Sequence, residues 1–397
     1  MLPHSLAGWQ AEKYHPVIMR IALVHYSAPP VIGGVERIIE EQGAVLRSAG
    51  HHVTLVCCEG GDPEHWDGLI PICRSSSQED LFIYLASALC SMDAVLLHNV
   101  GTMPFFPTLT KALRRVAATL PSVRWLCWVH DLVAGNEDYL ETIAAHDSEI
   151  FFGHCKHWDY VAISNRRAEE VARHLGVRCR VVPNGIDLNS TLGICPVVAR
   201  FAEYAGCWDA DVVLLQPARL TRRKQIECGI RLTAALQNLE LRATYLVTGA
   251  PDPHRPLEAA YATELRDLLR HLRLEGSVHF VNEFFPVGPT ELRGLYAIAD
   301  ALFFPSRQEG FGLPMLEAGA HRMPAFCPDI EPLRGLPGAI CFTPQTPSHE
   351  LAPWLIRQIG GRHAIQSRKS IAKNYRWPAI YRNFLAPLLS EPHALDQ

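Results

Sequence analysis

Short, continuous apolar runs recur along this chain, and longer stretches of helical periodicity separate them. The runs Ile21–His25, Val53–Cys57, Ala94–Leu97, Trp125–His130, Tyr160–Ile163 and Arg180–Val182 form a first series. Val212–Leu215, Thr244–Val247, Val278–Val281, Ala301–Phe304, Ala325–Cys327 and Ile340–Phe342 form a second. Most of them do not alternate apolar with polar residues. Strands of that kind are buried on both faces, as in a parallel sheet covered by helices. Gly34–Ala49, Asp80–Ser91, Phe106–Thr119 and Asn165–Leu175 read as covering helices. Ser164 suits the N-cap of the last and Gly176 its terminator. The pattern weakens after about residue 188 and resumes near 208. The expected fold class is α/β, with two Rossmann-like βαβ domains on parallel sheets, 19–190 and 205–375. Residues 1–18 are polar and aperiodic and read as an N-terminal arm, with Met19 an alternative start. Trp377–Leu389, within 376–397, reads as a helix added after the second sheet, packing back on the N-terminal domain.

Composition removes several function classes. A chain of 397 residues suits two domains. Its net charge of −4 disfavours a dedicated nucleic-acid binder, which is normally basic. No run approaches the roughly 18 apolar residues that a spanning helix needs. The longest uncharged run, Ala94–Thr110, contains His98, Asn99, Gly101, Pro104 and Pro107. The first residues lack the basic start and apolar centre of a secretory signal. The 12 cysteines show no CxxC spacing and read as reduced core thiols, hence a cytoplasmic protein.

Four elements carry chemistry. The most informative is Glu309-Gly-Phe-Gly-Leu-Pro-Met-Leu-Glu317, which follows a strand. Pro314 suits a first helical turn, so Gly310, Phe311, Gly312 and Leu313 fall at a helix N-terminus with free N–H groups and positive dipole character. Glu309 then lies in the loop and Glu317 about one turn inside the helix, able to grip two ends of one polar ligand. In Pro217-Ala-Arg219-Leu-Thr-Arg-Arg-Lys224, Arg219 and Lys224 can converge on one anion, a planar fork beside a compact charge. Arg222 and Arg223 are expected to face solvent. Gly33-Gly34-Val35-Glu36 follows the first strand and suits close approach to a phosphate. His130-Asp131 ends the Trp125–Val129 strand. All four sit at carboxyl ends of strands, where open parallel sheets bind ligands.

Other constellations fail. No GxGxxG, no Gly-Lys of a P-loop and no GxSxG is present. His154-Cys-Lys-His157 offers two metal-type ligands without a four-ligand set.

On these residues the chain resembles a retaining nucleotide-sugar glycosyltransferase of family 4, with the GT-B fold, over roughly residues 20–330. Glu309–Glu317 resembles the family's E-x7-E segment, and Arg219 and Lys224 its paired basic residues. Gly33-Gly34-Val35-Glu36, His130 and Val182-Pro-Asn-Gly-Ile-Asp187 match other signposts in order. Two departures stand out. Gln225 follows the Lys where Gly is common, and Gly249-Ala-Pro-Asp-Pro has one glycine where G-x-G is common. Asp209-Ala-Asp211 resembles the DxD of metal-dependent sugar transferases but precedes its strand, and reads as a solvated linker.

The resemblance implies two sheets facing an interdomain cleft, an acceptor domain first and a donor domain second. It implies transfer of a hexose from a UDP- or GDP-sugar to an acceptor hydroxyl, with no metal. Glu317 would bind the donor ribose and Glu309 the sugar hydroxyls, aided by N–H groups of Gly310, Phe311 and Gly312. Arg219 and Lys224 would stabilise the departing diphosphate. Gly33 and Gly34 would leave room for phosphates and acceptor, and His130 would contact the sugar. Lys111, Arg114 and Arg115 fall at i, i+3 and i+4 and are the candidate contacts to an anionic acceptor or a membrane surface, against a plain solvated face. A small soluble or anionic acceptor is the first expectation. A membrane-surface transferase building a glycolipid or polysaccharide precursor, a GT-B nucleotide-sugar epimerase and a non-catalytic sensor are the alternatives.

Overall fold

A computed structural model describes residues 17–135, 139, 143, 147–249 and 256–391. The expected arm, 1–18, lies outside these residues except for Val17 and Ile18. The chain divides into two compact units. The first comprises residues up to Ile186 together with Tyr375 onward, and the second spans Asp187–Asn374.

The described strands of the first unit are β1 (Arg20–Val24), β2 (His52–Cys57), β3 (Gly68–Pro71), β4 (Ala94–His98), β5 (Arg124–Val129), β6 (Asp159–Ala162) and β7 (Arg180–Val181). They form one parallel sheet in the order β3-β2-β1-β4-β5-β6-β7. The central strands are buried along nearly their whole length, which explains their unbroken apolar sequences. Helices Gln78–Leu89 and Pro107–Thr119 pack on one face through Leu81, Leu85, Leu109, Leu113 and Val116. Helix Gly34–Ser48 covers the other, with the returning C-terminal segment beside it. Trp377, Ile380, Leu385, Leu388 and Leu389 are buried there in the core around Ile21, Leu23 and Leu55. The Trp377 indole N–H donates to Glu41 at 2.6 Å. That segment is not one regular helix. A five-residue π turn, Tyr381–Leu385, separates Trp377–Ile380 from Ala386–Ser390. Helix Asn165–Leu175 begins where its cap residue indicates, with Ser164 Oγ accepting from the Arg167 N–H at 3.2 Å, and ends on Gly176 at φ 70°.

The second unit opens with a short helix, Leu188–Thr191, followed by helix Pro196–Tyr204, in the stretch where the sequence pattern is weakest. Its sheet comprises β8 (Val212–Gln216), β9 (Ala243–Val247), β10 (Val278–Phe280), β11 (Ala301–Phe303), β12 (Ala325–Pro328) and β13 (Ala339–Phe342), in the parallel order β10-β9-β8-β11-β12-β13. Asp300, fully buried just before β11, accepts from the Val213 N–H at 2.7 Å and pairs with Arg368 and Lys369. It joins the two central strands to the helix His363–Asn374. In each sheet the chain winds outward in both directions from one adjacent pair, β1/β4 and β8/β11. Beyond the carboxyl ends of such a pair the loops diverge and leave a crevice, the usual ligand position in an open α/β sheet.

Candidate active site

In the second unit the loops after β8 and β11 are tied together. The Arg307 N–H donates to the Arg223 carbonyl at 2.8 Å. Lys224, at the end of a 3-10 turn (Arg222–Lys224), forms an ion pair with Glu309 of the other loop. Both side chains are nearly buried, 11 % and 8 % exposed. The ammonium lies 4.6 Å from the centre of the Phe304 ring. Burial pulls the Lys224 pKa down and the neighbouring Glu309 opposes that shift. The Lys224 carbonyl is held by the Gln216 amide at 2.7 Å, and the Tyr245 hydroxyl donates to that same buried amide. Arg223, expected to face solvent, is half exposed yet reaches the second Glu309 oxygen at 3.7 Å. Arg222 pairs with Glu264 at 2.5 Å across the Tyr261 ring.

The Gln in place of the common Gly at 225 has a physical reading. Gln225 sits in the left-handed region at φ 48°, which explains why glycine suits this position. Its amide, oriented to satisfy both partners, donates to the Pro305 carbonyl and accepts from Arg307 Nε, each at 2.8 Å. The single glycine kept after β9 also has a use. A Cβ on Gly249 would fall 2.4 Å from the Arg219 Cα and from the Ala218 carbonyl oxygen. Arg219 itself is exposed on the loop after β8.

Gly312 caps helix Leu313–Ala320 at φ 98°, and a Cβ there would meet Leu333 Cδ2 at 2.5 Å. A Cβ on Gly310 would meet nothing within 4 Å, and Phe311 and Leu313 are exposed, 52 % and 62 %. Glu317 lies inside the helix, half-buried. One of its oxygens accepts from the Tyr296 hydroxyl at 2.8 Å. The Tyr296 ring, 2 % exposed, stacks on His321 with centroids 4.9 Å apart. Tyr296 and Gln216 were not singled out in the sequence. Each reaches the site from another element, and nothing in their local sequence marks them.

In the first unit the carboxyl ends of β1, β4 and β5 bring three histidines together. The His25 Nδ1–H donates to the His98 carbonyl at 2.7 Å, and His98 Nδ1 lies 3.0 Å from His130 Nε2. Burial lowers all three pKa values, that of His130 to about 3. Asn99 Oδ1 accepts from the N–H groups of His130 and Asp131, each at 2.9 Å. His25 and His98 end strands as His130 does, a signal that the sequence already carried. Glu36 folds back to accept from Ser27 Oγ at 2.7 Å, and a Cβ on Gly33 would lie 2.0 Å from the Glu36 carboxylate. A Cβ on Gly34, by contrast, would meet nothing within 4 Å.

Lys111, Arg114 and Arg115 are all engaged within the first unit. Lys111 pairs with Asp147 at 2.6 Å. Arg114 donates to the Ile150 and Gly153 carbonyls and stands over Trp158. Arg115 pairs with Glu79 at 2.7 Å above Phe82. Asp211 accepts from the Arg242 N–H and from Lys373 at 2.6 Å. Among the described residues no group of three or more His, Cys, Asp or Glu side chains is arranged to hold a metal ion, His154 and His157 included. No described helix is long and apolar enough to cross a membrane.

Known proteins resemble this chain along most of its length. The family model described as Glycosyltransferase Family 4 matches residues 32–190, and that described as Glycosyl transferases group 1 matches 208–336. The mannosylglucosylglycerate synthase of Thermotoga maritima is 25 % identical over 366 residues, covering 79 % of this chain and 83 % of that protein. The D-inositol 3-phosphate glycosyltransferase of Kineococcus radiotolerans is 33 % identical over 158 residues, 39 % of this chain and 35 % of that one. The structure of Anabaena HepE in complex with UDP and glucose superposes with a TM-score of 0.40 at 17 % identity, over 94 % of this chain and all of that one. With one glycosyltransferase model on each α/β unit and a relative aligned along most of the chain, the protein is a transferase of the family 4 glycosyltransferases, of the GT-B class.

Proposed function

We propose that this enzyme is a retaining, metal-independent hexosyltransferase that uses a UDP- or GDP-sugar and acts on an acceptor hydroxyl in the cytoplasm. The observation that carries the reading is the buried Lys224–Glu309 pair at the β8/β11 crevice, with Glu317, on the helix that follows the same loop, held by Tyr296. Glu317 keeps one carboxylate oxygen for the ribose hydroxyls. Glu309 takes the hydroxyls of the sugar, and the N–H groups of Gly310, Phe311 and Gly312 support it. Lys224 and Arg219 bind the diphosphate, where negative charge grows as the sugar leaves. Fixed charge aimed at developing charge contributes several kcal/mol to catalysis. Two cations there supply the neutralisation that a divalent ion gives elsewhere. The anomeric carbon loses its bond to the diphosphate oxygen and gains one to the acceptor oxygen on the same face. The acceptor proton passes to the leaving phosphate, and a nucleoside diphosphate departs.

The engaged state of Lys111, Arg114 and Arg115 favours an acceptor bound elsewhere over one bound by this helix face. A small polar acceptor is favoured by the relative named for D-inositol 3-phosphate. Thermal-shift screening of UDP, GDP, ADP and their hexose conjugates, with and without EDTA, tests the donor assignment. One nucleotide class should raise the midpoint regardless of EDTA. Glu309→Gln should then lower turnover about 10²- to 10³-fold while the protein still folds. No shift with any nucleotide would overturn the donor site. Donor consumed to free sugar or an epimer without any acceptor would assign an epimerase.

A further inference from the structure

A pocket of about 600 Å³ lies within the first unit, at the edge of the sheet opposite the three histidines. Arg124, Asp159 and Arg180, which line it, are the first residues of β5, β6 and β7. A strand rises about 3.3 Å per residue, so roughly 15–20 Å separate Arg124 from His130 past the far end of β5. The pocket is therefore distinct from the crevice at the carboxyl ends. Its size falls within the roughly 300–1,000 Å³ of sites for small organic ligands.

The wall of the pocket is basic. Arg124, His154, Lys156, Arg178 and Arg180 line it, and among the described lining residues Asp159 is the one carboxylate. Two of the cations are matched already. Arg124 faces Asp159 at 3.6 Å and donates to the Leu388 and Glu391 carbonyls, while Arg180 pairs with the Glu391 side chain. Lys156 and Arg178 enter no ion pair among the described residues. Those two unmatched positive charges complement a phosphomonoester, which carries about −1.5 to −2 at neutral pH.

The rest of the wall suits a carbon skeleton. Val161, Val177 and Leu388 supply apolar surface, and Trp158 and Tyr160, each 5 % exposed, are its aromatic members. Both loops that carry the unmatched cations are braced. The Cys155 N–H donates to the Tyr160 hydroxyl at 2.9 Å and the Trp158 N–H to the Cys155 carbonyl at 3.1 Å, which closes the turn around Lys156. Gly176 ends the helix just before Arg178, and the chain pairs with β6 from Arg180 onward. A site braced before binding loses little freedom when it fills. A plain solvated basic surface needs neither the recess nor the aromatic wall.

We infer that this pocket is a second binding site, for a soluble organic phosphate, with Lys156 and Arg178 taking the phosphate and the apolar wall taking the carbon skeleton. The site lies wholly in the first unit and does not depend on the donor assignment in the second.

Hydrogen exchange of the whole protein with inorganic phosphate and with α-glycerophosphate tests it, with glycerol as the uncharged control. α-Glycerophosphate should slow exchange in peptides covering 153–161 and 176–181, inorganic phosphate should do so more weakly, and glycerol should have no effect. Lys156→Gln combined with Arg178→Gln should weaken α-glycerophosphate binding at least tenfold. Both residues are exposed, so the melting midpoint without ligand should not move. Lys156→Arg, which keeps the charge, should retain binding. Sedimentation with phosphatidylcholine vesicles, with and without phosphatidic acid, separates the two sources of this headgroup chemistry. Binding to the phosphatidic acid vesicles alone, lost in the double variant, would keep the phosphate site and assign it to a lipid. Protection that the double variant retains, or that falls only outside these peptides, would overturn the site. So would the absence of any response to α-glycerophosphate and to both kinds of vesicle.

Discussion

Gln225 holds a backbone position that costs an ordinary side chain about 1–2 kcal/mol, and two hydrogen bonds from its amide offset this. Gln225→Ala keeps the strained φ and loses both bonds, so stability in urea should fall by about 1–2 kcal/mol. Gln225→Gly loses the same bonds and relieves the strain, so it should unfold at higher denaturant than the alanine variant. An alanine variant as stable as the glycine variant would mean that φ 48° is not strained here. Gly312 is constrained twice, by its φ of 98° and by the Leu333 side chain. These residues show what single positions reveal in sequence. Glu309, Gly312 and Glu317 were legible because a loop-to-helix transition writes glycine, proline and carboxylates at fixed spacing. Gln225 was legible only as a departure, and its reason is a dihedral angle that no composition records. The expectation that Arg223 faces solvent missed its reach to Glu309, because a flexible side chain can be exposed and still approach a buried charge.

Elements bring together what sequence keeps apart. Glu317 sits on Leu313–Ala320, but its partner Tyr296 comes from the helix before β11. Tyr296→Phe keeps the stack on His321 and removes the hydroxyl that donates to that oxygen. The donor KM should rise several-fold with kcat nearly unchanged, and stability should fall by about 1 kcal/mol. An unchanged KM would remove Tyr296 from donor binding. Strand positions were readable because burial on both faces leaves an unbroken apolar run. β3 escaped notice because Gly68-Leu-Ile-Pro71 is four residues at the sheet edge, only partly buried. The C-terminal segment read as one helix, and periodicity cannot register the extra residue of a π turn. Pro387, just beyond that turn, has no N–H to extend a regular ladder back through it.

At the scale of the molecule, the first unit is built from both ends of the chain. Ending the protein after Asn374 would strip Trp377, Ile380, Leu385, Leu388 and Leu389 from its core. At about 1.5–3 kcal/mol for each buried side chain, that loss is comparable to the whole stability of a domain. The truncated chain should lose hydrogen-exchange protection throughout β1–β7 while β8–β13 remain protected. Equal protection in the first sheet would show that the returning segment is dispensable. Acid should also separate the two units. His25, His51, His98 and His130 in the first unit have folded pKa values below the ordinary 6.5, with burial the main cause. In the second unit, among the described residues, His279 is the histidine so shifted, to about 4. A histidine depressed in the folded state binds fewer protons there than in the unfolded chain. Its stabilising contribution is therefore complete above about 6.5 and is lost as pH falls toward the folded value. Each such histidine contributes a slope of about 1.4 kcal/mol per pH unit inside that window. Between about pH 6.5 and 5 carboxylates of ordinary pKa remain ionised, so the histidines dominate the change. The first unit should lose stability faster there, and exchange-resolved peptides from β1, β4 and β5 should open before those from β8 and β11. Simultaneous opening, or earlier loss in the second unit, would mean that the His25–His98–His130 group is not held uncharged by the fold.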